Sequence, residues 1–381
     1  MGDAVRDILA AGRLDADRGQ WQQRLRDVTA RDVEAALASR AGSYSLDKLV
    51  ALVSPVAEDY LEPMARISRR LTIQRFGRTI RLYAPLYLSS YCVNRCRYCG
   101  FNQGNTFTRA RLSIDEALAE AEILAAEGFR DILLVSSEDK QFISIDYLEE
   151  LAGELRKTFS FIGVEIYQMT VAHYRRLFEA GVEGVTLYQE TYDRAAYAHY
   201  HRAGPKADYD LRLRGPDDMA GAGMREIGLG VLLGLADWRL EALALGAHAR
   251  YLTKRYWQSH ISFSFPRLRP ASGVSAAEFP HLLTDRNLVQ MMLALRLCFA
   301  DAGIVISTRE PAPLRDHLVE LGVTRMSAGS RTNPGGYSGP ESSSEQFEVH
   351  DQRSPAEIGT MLKERGFDLV WKDWDRAFLQ V

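Results

Sequence analysis

From about residue 82 onward, the chain alternates short apolar runs with segments whose apolar residues recur every three or four positions. Strands that are apolar throughout and separated by helices are typical of a parallel sheet buried on both faces. Eight such units in about 250 residues predict a (β/α)8 barrel of the TIM type, and a doubly wound open sheet is the alternative. The candidate strands are residues 83–90, 131–137, 161–168, 184–190, 226–234, 260–265, 303–308 and 323–328.

The predicted barrel occupies residues 82–330 and has an extension on each side. Residues 1–81 have the apolar spacing of amphipathic helices, most clearly at 46–71, which predicts one helix or a helical pair. Residues 331–381 are predicted to be a C-terminal extension that packs on the barrel, with a Gly-, Pro- and Ser-rich loop followed by a helix. Ser113-x-x-Glu116 and Ser354-x-x-Glu357 are capping boxes that predict two helix starts.

The composition is that of a globular protein, with 46% apolar and 25% charged residues. It excludes a disordered chain, a collagen-like repeat and a coiled-coil rod. No apolar stretch is long enough to span a bilayer, and the N-terminus does not have the pattern of a signal peptide. We therefore expect a cytoplasmic protein that does not act at a membrane.

The net charge of −3 disfavours a nucleic-acid partner, but the charges are unevenly distributed. Between Glu62 and Asp115 there are ten arginines and no acidic residue, so this block carries +10 and the rest of the chain −13. A solvated face is an equally good interpretation for the part at 66–81, whereas the part around the cysteines would suit an anionic cofactor. The ten residues are Arg66, Arg69, Arg70, Arg75, Arg78, Arg81, Arg95, Arg97, Arg109 and Arg111.

Three of the four cysteines lie within eight residues, directly after the first predicted strand. Cys92, Cys96 and Cys99 form a C-x3-C-x2-C run, and such clustering in a cysteine-poor chain indicates metal ligation. A structural zinc site needs four ligands, and Cys298 belongs to an apolar helical stretch that we predict to be core. Three thiolates without a fourth indicate a [4Fe–4S] cluster with one open iron, and nearby arginines would ease its reduction.

The cysteine run, with Tyr98 before its last cysteine, resembles the radical S-adenosylmethionine (SAM) superfamily. The resemblance implies that the amino and carboxylate groups of SAM chelate the open iron. One electron from the cluster would then cleave SAM and yield a 5′-deoxyadenosyl radical. The alternative from a different functional class is a non-catalytic module with zinc or a structural cluster.

The resemblance also implies which residues contact SAM. Glu138, at the end of the second strand, corresponds to the motif that binds the SAM amine. Glu165 and Glu190, at the ends of the third and fourth strands, would accept from the ribose hydroxyls. Arg212 would hold the SAM carboxylate, and Leu232 lies in the glycine-and-aliphatic adenine platform of the fifth strand. Tyr98 is expected to belong to the same cofactor site.

Several further stretches are similar to the aromatic amino acid lyases of this superfamily, over essentially the whole chain. The similarity is strongest to the tyrosine lyases of thiamine synthesis, the 2-iminoacetate synthases. It implies cleavage of the Cα–Cβ bond of L-tyrosine to 2-iminoacetate (dehydroglycine) and p-cresol. The stretches are YxPLYLSxxCxNxCxYCGF (83–101), YQETY (188–192), IGLGxLxGL (227–235), YWQSxxSxSFPRLRP (256–270), STRE (307–310), PGGY (334–337) and VWKDWD (370–375).

The substrate carboxylate needs a cation at the barrel mouth, and Arg309 after the seventh strand is the first choice. Ser327, at the end of the eighth strand, would assist it. Arg267 and Arg269 are competitors, unless they form salt bridges at the rim. The implied partners are the thiazole synthase ThiG and an electron donor, flavodoxin or ferredoxin, whose acidic surface would suit the arginine block.

Two related lyases remain as alternatives. HydG also cleaves tyrosine but carries a second cluster, and the absence of cysteines after Cys298 argues against it, although GSRTNPGGY (329–337) is similar to its sequence. The tryptophan lyase NosL shares the barrel and the reaction logic, and only the VWKDWD stretch favours the tyrosine enzyme. A nucleic-acid binder that uses the arginines at 66–81 is a remote third possibility.

Overall fold

A computed structural model describes residues 4–271, 274, 276–339 and 343–371. Before the barrel, the predicted amphipathic segment is a pair of helices separated by a single 3-10 turn at Val56–Tyr60. The helices of this N-terminal region are α1 (Val5–Ala11), α2 (Gly19–Asp27), α3 (Ala30–Ala38), α4 (Leu46–Val53) and α5 (Leu61–Phe76).

Eight parallel strands then form a closed barrel, so the predicted (β/α)8 fold is confirmed and the open-sheet alternative is wrong. Each strand pairs with the next, and β1 pairs with both β2 and β8, which closes the ring. The strands are β1 (Thr79–Ser89), β2 (Asp131–Ser136), β3 (Phe161–Glu165), β4 (Gly184–Thr186), β5 (Glu226–Gly230), β6 (His260–Ser264), β7 (Gly303–Ile306) and β8 (Arg325–Ser327).

Helices connect the strands on the outside of the barrel. Both predicted capping boxes are present. The Ser113 and Ser354 hydroxyls accept from the backbone amides of Glu116 and Glu357, and each glutamate side chain accepts in return from the backbone amide of its serine. The helices are α6 (Ile114–Ala126), α7 (Ile145–Leu155), α8 (Val171–Ala180), α9 (Arg194–Tyr200), α10 (Tyr209–Ala222), α11 (Trp238–Arg255), α12 (Asp285–Cys298), α13 (Ala312–Leu321) and α14 (Pro355–Glu364). Cys298 is 1% exposed in α12, where it belongs to the core, as expected.

The structure departs from the sequence-based expectations at both ends of the barrel domain. β1 begins at Thr79, inside the predicted helical extension. A ninth strand, β9 (Asp368–Val370), pairs in parallel with Thr79–Arg81, where we expected only a loop and a helix. Three residues are too few for a period-2 pattern to predict. Most of the VWKDWD stretch, from residue 372 onward, lies outside the described residues.

The two ends of the barrel differ in chemistry. At the N-terminal end of the strands, Arg81 and Arg325 each pair with both Asp131 and Glu226, so the charges there compensate one another. At the C-terminal end, the strands lead into the loops that carry the candidate site, as in other TIM-type barrels. None of the described helices is both long and apolar enough to cross a membrane.

Candidate active site

The cysteine loop and the ends of the strands surround one cavity at the C-terminal mouth of the barrel. Its empty volume is about 1030 Å³, and it is open to solvent. All the cofactor, metal and carboxylate-binding residues expected from the sequence line it, with the exception of Ser327: Cys92, Cys96, Cys99, Tyr98, Glu138, Glu165, Glu190, Arg212, Leu232 and Arg309.

The cysteine loop is held by a second loop that runs antiparallel to it. The amide of Arg97 donates to Tyr200, the amide of Arg95 donates to Ala203, and the amide of Arg202 donates back to Arg95. Cys96 lies opposite His201 in this arrangement. The loop conformation is therefore fixed by backbone hydrogen bonds.

The donor set fits an iron–sulfur cluster better than a single metal ion. All three cysteines are free thiols that face one cavity. Yet nowhere in residues 4–271, 274, 276–339 and 343–371 do three His, Cys, Asp or Glu side chains converge closely enough to hold one ion. A structural zinc ion needs such convergence, whereas in a [4Fe–4S] cluster each thiolate binds an iron of its own. The zinc alternative is therefore disfavoured by geometry.

Burial and nearby charges act in opposite directions on the thiols. Burial raises the pKa of Cys96 to about 12, and the Lys206 ammonium opposes that rise. Burial also raises the pKa of Cys99. Thiols in such a setting are ionised by the metal that they bind, because a coordinated thiol loses its proton.

Hydrogen-bond donors surround the cysteine sulfurs. Both the backbone amide and the Nδ2 of Asn94 are directed at Cys92 Sγ, at 3.5 and 3.6 Å. Gln346 Nε2 lies 3.7 Å from Cys99 Sγ. Hydrogen bonds from Asn94 and Gln346 to sulfur stabilise thiolate charge and tune a bound cluster. Tyr98 is oriented by His201, whose Nε2 lies 2.8 Å from the phenol oxygen.

Glu138 and Glu190 are fixed by cations and amides on the cavity wall. Glu138 accepts from Asn94 Nδ2 at 2.7 Å and pairs with Lys140 at 2.9 Å. Glu190 accepts from Lys206 Nζ at 2.6 Å, and Arg212 lies 3.7 Å away. Burial alone would raise the pKa of Glu190, but Lys206 and Arg212 hold it below its usual value. Glu190 is thus an ionised acceptor.

The backbone around Glu190 connects the segments that follow β4 and β5. Glu190 has φ +69°, a left-handed conformation that non-glycine residues adopt rarely. Its carbonyl accepts from the amide of Leu232 at 2.8 Å, which joins the end of β4 to the end of β5. Arg212 Nε donates to the carbonyl of Tyr188 at 2.8 Å. These contacts set the positions of Glu190, Leu232 and Arg212 relative to one another.

Glu165 lies deeper in the barrel. Burial raises the pKa of Glu165 to about 7, and the Arg309 guanidinium opposes that rise. Near neutral pH this carboxyl can therefore either donate or accept a proton, depending on what binds beside it.

The arginines considered for the substrate carboxylate differ in what they already bind. Arg267 is engaged by Glu310 and by Asp285, at 2.7 Å, so the salt-bridge interpretation fits it. Arg269 lines the cavity, donates to Glu310 at 2.8 Å, and has a buried Nε without a hydrogen-bond partner. Arg309 lines the same cavity, with its guanidinium carbon 3.4 Å from the centre of the Phe347 ring.

Ser327 lies in an adjoining inner cavity with an empty volume of about 610 Å³. Arg309, Glu165 and Tyr188 line both cavities, so the two spaces share a wall. The Ser327 hydroxyl accepts from the amide of Thr308 at 3.0 Å. Ser327 is thus on the barrel-interior side of Arg309.

Most of the arginine block is engaged internally. Arg66, Arg69 and Arg75 pair with Glu62, Glu320 and Asp301, which fits the solvated-face interpretation for this part. The members around the cysteines have other partners. Arg97 pairs with Glu278, and Arg111 donates two hydrogen bonds to Asp139. Arg109 donates to four backbone carbonyls in the region of the cysteine loop.

Sequence reasoning missed three residues of the cavity wall: Asn94, Lys206 and Gln346. Asn94 lies between the first two cysteines, and this position could have drawn attention to it. Lys206 and Gln346 belong to loops far from any motif that we weighed for cofactor binding. Only the folded arrangement brings them to the cysteines.

Two family descriptions match the chain. The Radical SAM superfamily matches residues 86–245, and the Biotin and Thiamin Synthesis associated domain matches residues 264–368. The 2-iminoacetate synthase of Salmonella typhimurium is 41% identical over 353 residues, with 92% of this chain and 93% of that protein covered. The Escherichia coli enzyme of the same name is 40% identical over the same lengths.

Among solved structures, HydG, a maturase of the [FeFe]-hydrogenase, has a TM-score of 0.89 at 32% identity. The superposition covers 96% of this chain and 81% of HydG. The barrel and its extensions are thus shared with a protein of similar overall architecture.

Proposed function

The chain belongs to the 2-iminoacetate synthase family of radical SAM enzymes, and from this premise we propose that it is a tyrosine lyase. The reaction would cleave the Cα–Cβ bond of L-tyrosine and give 2-iminoacetate and p-cresol. The imine would supply the glycine-derived part of the thiazole ring in thiamine synthesis. The matching Biotin and Thiamin Synthesis associated domain supports that setting.

The cofactors of this family are a [4Fe–4S] cluster and SAM. When bound, they supply a 5′-deoxyadenosyl radical through one-electron cleavage of SAM. The residues that would hold the cluster are Cys92, Cys96 and Cys99. Cys96 is buried, and the other two are partly exposed toward the cavity.

Several polar side chains on the cavity wall, each held in place by hydrogen bonds, would bind SAM. Glu138 and Glu190 offer carboxylate oxygens on the cavity wall, and Arg212 offers a guanidinium anchored on the Tyr188 carbonyl. Tyr98 and Leu232 add an aromatic and an aliphatic surface for the adenine. The ionised state of Glu190 suits the acceptance of ribose hydroxyl hydrogen bonds.

Arg309 would bind the tyrosine carboxylate, and Ser327 would assist it from the inner cavity. A guanidinium recognises a carboxylate with two parallel hydrogen bonds, which fixes orientation as well as position. Arg309 separates the cofactor side of the site from the barrel interior, because it lines both cavities. Substrate held there would face the bound cofactors.

One observation carries this proposal. A single cavity brings together three free thiols, fixed carboxylates for a cationic cofactor and a guanidinium for an amino acid carboxylate. A structural metal module would have no need of the last two.

The test is the identity of the aromatic product. Reconstituted, reduced protein is incubated anaerobically with SAM and either tyrosine or tryptophan, and the products are identified by chromatography and mass spectrometry. We expect p-cresol and 5′-deoxyadenosine from tyrosine. An indole product from tryptophan without p-cresol would instead assign a NosL-type lyase.

A matched variant tests the cluster ligands. Cys96→Ala should lose most of the bound iron and sulfide, because a ligand is removed, whereas Cys298→Ala should retain them, since Cys298 is 1% exposed in the core and remote from the cavity. Wild-type iron and sulfide content in Cys96→Ala would contradict the proposed ligand set.

We further propose the thiazole synthase ThiG as the acceptor of the imine, and flavodoxin or ferredoxin as the electron donor. The surface beside the cysteine loop supports an acidic donor. Arg95 in this loop is exposed and donates to the uncharged Oε1 of Gln103, and the exposed Tyr91 (38%) and Val93 (47%) add apolar area beside it. Such a donor should reduce the protein more slowly as salt rises. The cytoplasm, where thiols stay reduced, is the compartment that we expect.

A further inference from the structure

Gln346 belongs to the C-terminal extension, yet its side chain reaches the cysteine loop. Its Nε2 lies 3.7 Å from Cys99 Sγ, and its Oε1 accepts from the Tyr87 hydroxyl at 2.9 Å. Tyr87 is in β1, just before the cysteine loop. The amide therefore connects the first strand of the barrel with the last cysteine of the run.

The two contacts fix the orientation of the amide. A thiolate has no hydrogen to give, so only the amide nitrogen can face Cys99 favourably. The oxygen then faces Tyr87, whose hydroxyl stays protonated because burial raises its pKa well above the ordinary value. The reversed amide would place an acceptor against the thiolate.

The backbone at Gln346 is held as firmly as its side chain. Its amide donates to the carbonyl of Thr332 at 3.0 Å. Its carbonyl lies against Gly100, where a Cβ would come within 2.6 Å of it. Farther along, the amide of His350 donates to Thr308 at 3.0 Å, which attaches this segment to the end of β7. The position of Gln346 is therefore determined by the fold.

We propose that Gln346 is a positioning residue that sets the reduction potential of the cluster by donating a hydrogen bond to the Cys99 thiolate. The inference rests on the cluster of the proposed function, but it concerns a residue outside the cysteine run. The Tyr87 hydroxyl holds the amide in the donating orientation.

The expected effect follows from charge. Reduction adds one negative charge to the cluster and its thiolates, and a donor at the sulfur stabilises that charge. Without the donor, the reduced state is less favourable. At a given potential of the solution, less of the protein is then reduced.

The test uses Gln346→Met, which keeps an unbranched side chain of similar length and removes the donor. Cluster-loaded protein without SAM is titrated anaerobically with dithionite and redox mediators, and the signal of the reduced cluster is followed by electron paramagnetic resonance. At the potential where wild type is half reduced, we expect the ratio of reduced to oxidised cluster to fall about tenfold, equivalent to about 59 mV for one electron.

Gln103→Met is the matched control. Gln103 lies just beyond the same loop, and its Oε1 accepts from Arg95, so it contacts no sulfur in the described structure. The reduction potential of the cluster in Gln103→Met should equal that in wild type. An unshifted Gln346→Met would overturn the proposal, and so would an equal shift in both variants, which would indicate a general disturbance of the loop.

Tyr87→Phe provides a second measurement that keeps Gln346. It removes the hydroxyl that fixes the orientation of the Gln346 amide. We therefore expect the reduction potential to fall, but by less than in Gln346→Met. If Gln346→Met fails to bind iron, Tyr87→Phe decides: a lower potential supports the proposal, and an unchanged one overturns it. Because the readout is the potential and not p-cresol, this inference and the lyase assignment can fail separately.

Discussion

Lys206 brings a positive charge to the cysteines from outside the C-x3-C-x2-C run. Its ammonium lies 2.6 Å from Glu190 and 5.7 Å from the centre of the Tyr98 ring. Its amide donates to Asn94 Oδ1 at 3.0 Å, so both its backbone and its side chain contact the site. Such a residue can be identified only after folding, because it lies more than 100 positions from the loop that it supports.

At Arg309 the structure supports a direct substitution test. Arg309→Ala removes the guanidinium beside the shared wall of the two cavities. A charge-assisted hydrogen bond contributes about 1.5–3 kcal/mol, so tyrosine should bind roughly 10- to 100-fold more weakly. SAM should bind as in wild type. Anaerobic calorimetry with each ligand separately measures both affinities.

The controls for this measurement come from the same chain. Arg309→Lys keeps the charge without the planar fork and should recover part of the affinity. Arg331→Ala, at an exposed loop position, should change neither affinity. Simultaneous loss of SAM and tyrosine binding in Arg309→Ala would mean that Arg309 supports the structure and does not bind the substrate.

At the scale of elements, the loop at 200–206 acts as a template for the cysteine loop. Gly204 has φ +93°, and a Cβ there would lie 2.3 Å from Asn94 Oδ1 and 2.8 Å from Asn94 Cα. Gly204→Ala would therefore combine backbone strain with a clash against the segment between the first two cysteines. We expect it to destabilise the loop pair by about 1–3 kcal/mol and to lower the iron content per chain.

Gly153→Ala is the matched control for this change. Gly153 lies in α7, and a Cβ there meets nothing within 4 Å. The added methyl should stabilise the helix by about 0.5–1 kcal/mol and leave the iron content unchanged. Thermal unfolding and iron analysis of both variants provide the comparison. Full iron content in Gly204→Ala would contradict the template role.

The elements that the sequence predicted best are those with a local signal. All eight strands and both capping boxes have a pattern that lies within a few neighbouring residues. β9 was missed because three residues carry no period. β4 and β5 were predicted to be longer than the assigned strands, and backbone hydrogen bonds between the two segments do continue beyond Thr186 and Gly230. The cysteine run was predicted from its clustering and Arg309 from its position after the seventh strand, whereas the roles of Glu138, Glu165, Glu190 and Arg212 were implied by the resemblance to a family. Lys206 and Gln346 were not predicted, because their roles depend on tertiary contacts.

At the scale of the whole molecule, a buried ion pair joins the C-terminal extension to the barrel. Arg315 in α13 is completely buried and pairs with Asp351, which is 1% exposed, and it also donates to the carbonyl of Ser327. A buried pair that loses one partner leaves an uncompensated charge and costs about 3–5 kcal/mol. Asp351→Asn should lower the free energy of unfolding by that amount, measured by anaerobic denaturant titration.

Glu154→Gln tests whether the effect depends on burial. Glu154 pairs with Lys157 at 2.6 Å, and their side chains are 47% and 68% exposed. Solvent screens this pair more than the Arg315 pair, so its loss should cost clearly less. Equal destabilisation by both variants would contradict burial as the cause.

The segment around Gln346 also has a consequence for the order in which the protein is made. The ribosome synthesises the cysteine loop roughly 250 residues before the wall that Gln346 and Phe347 add to its cavity. β1 likewise lacks two of its pairing partners until β8 and β9, the last strands of the described chain, have been synthesised. Until those parts are synthesised, the cavity lacks this wall, and completion of the chain encloses the cysteines further.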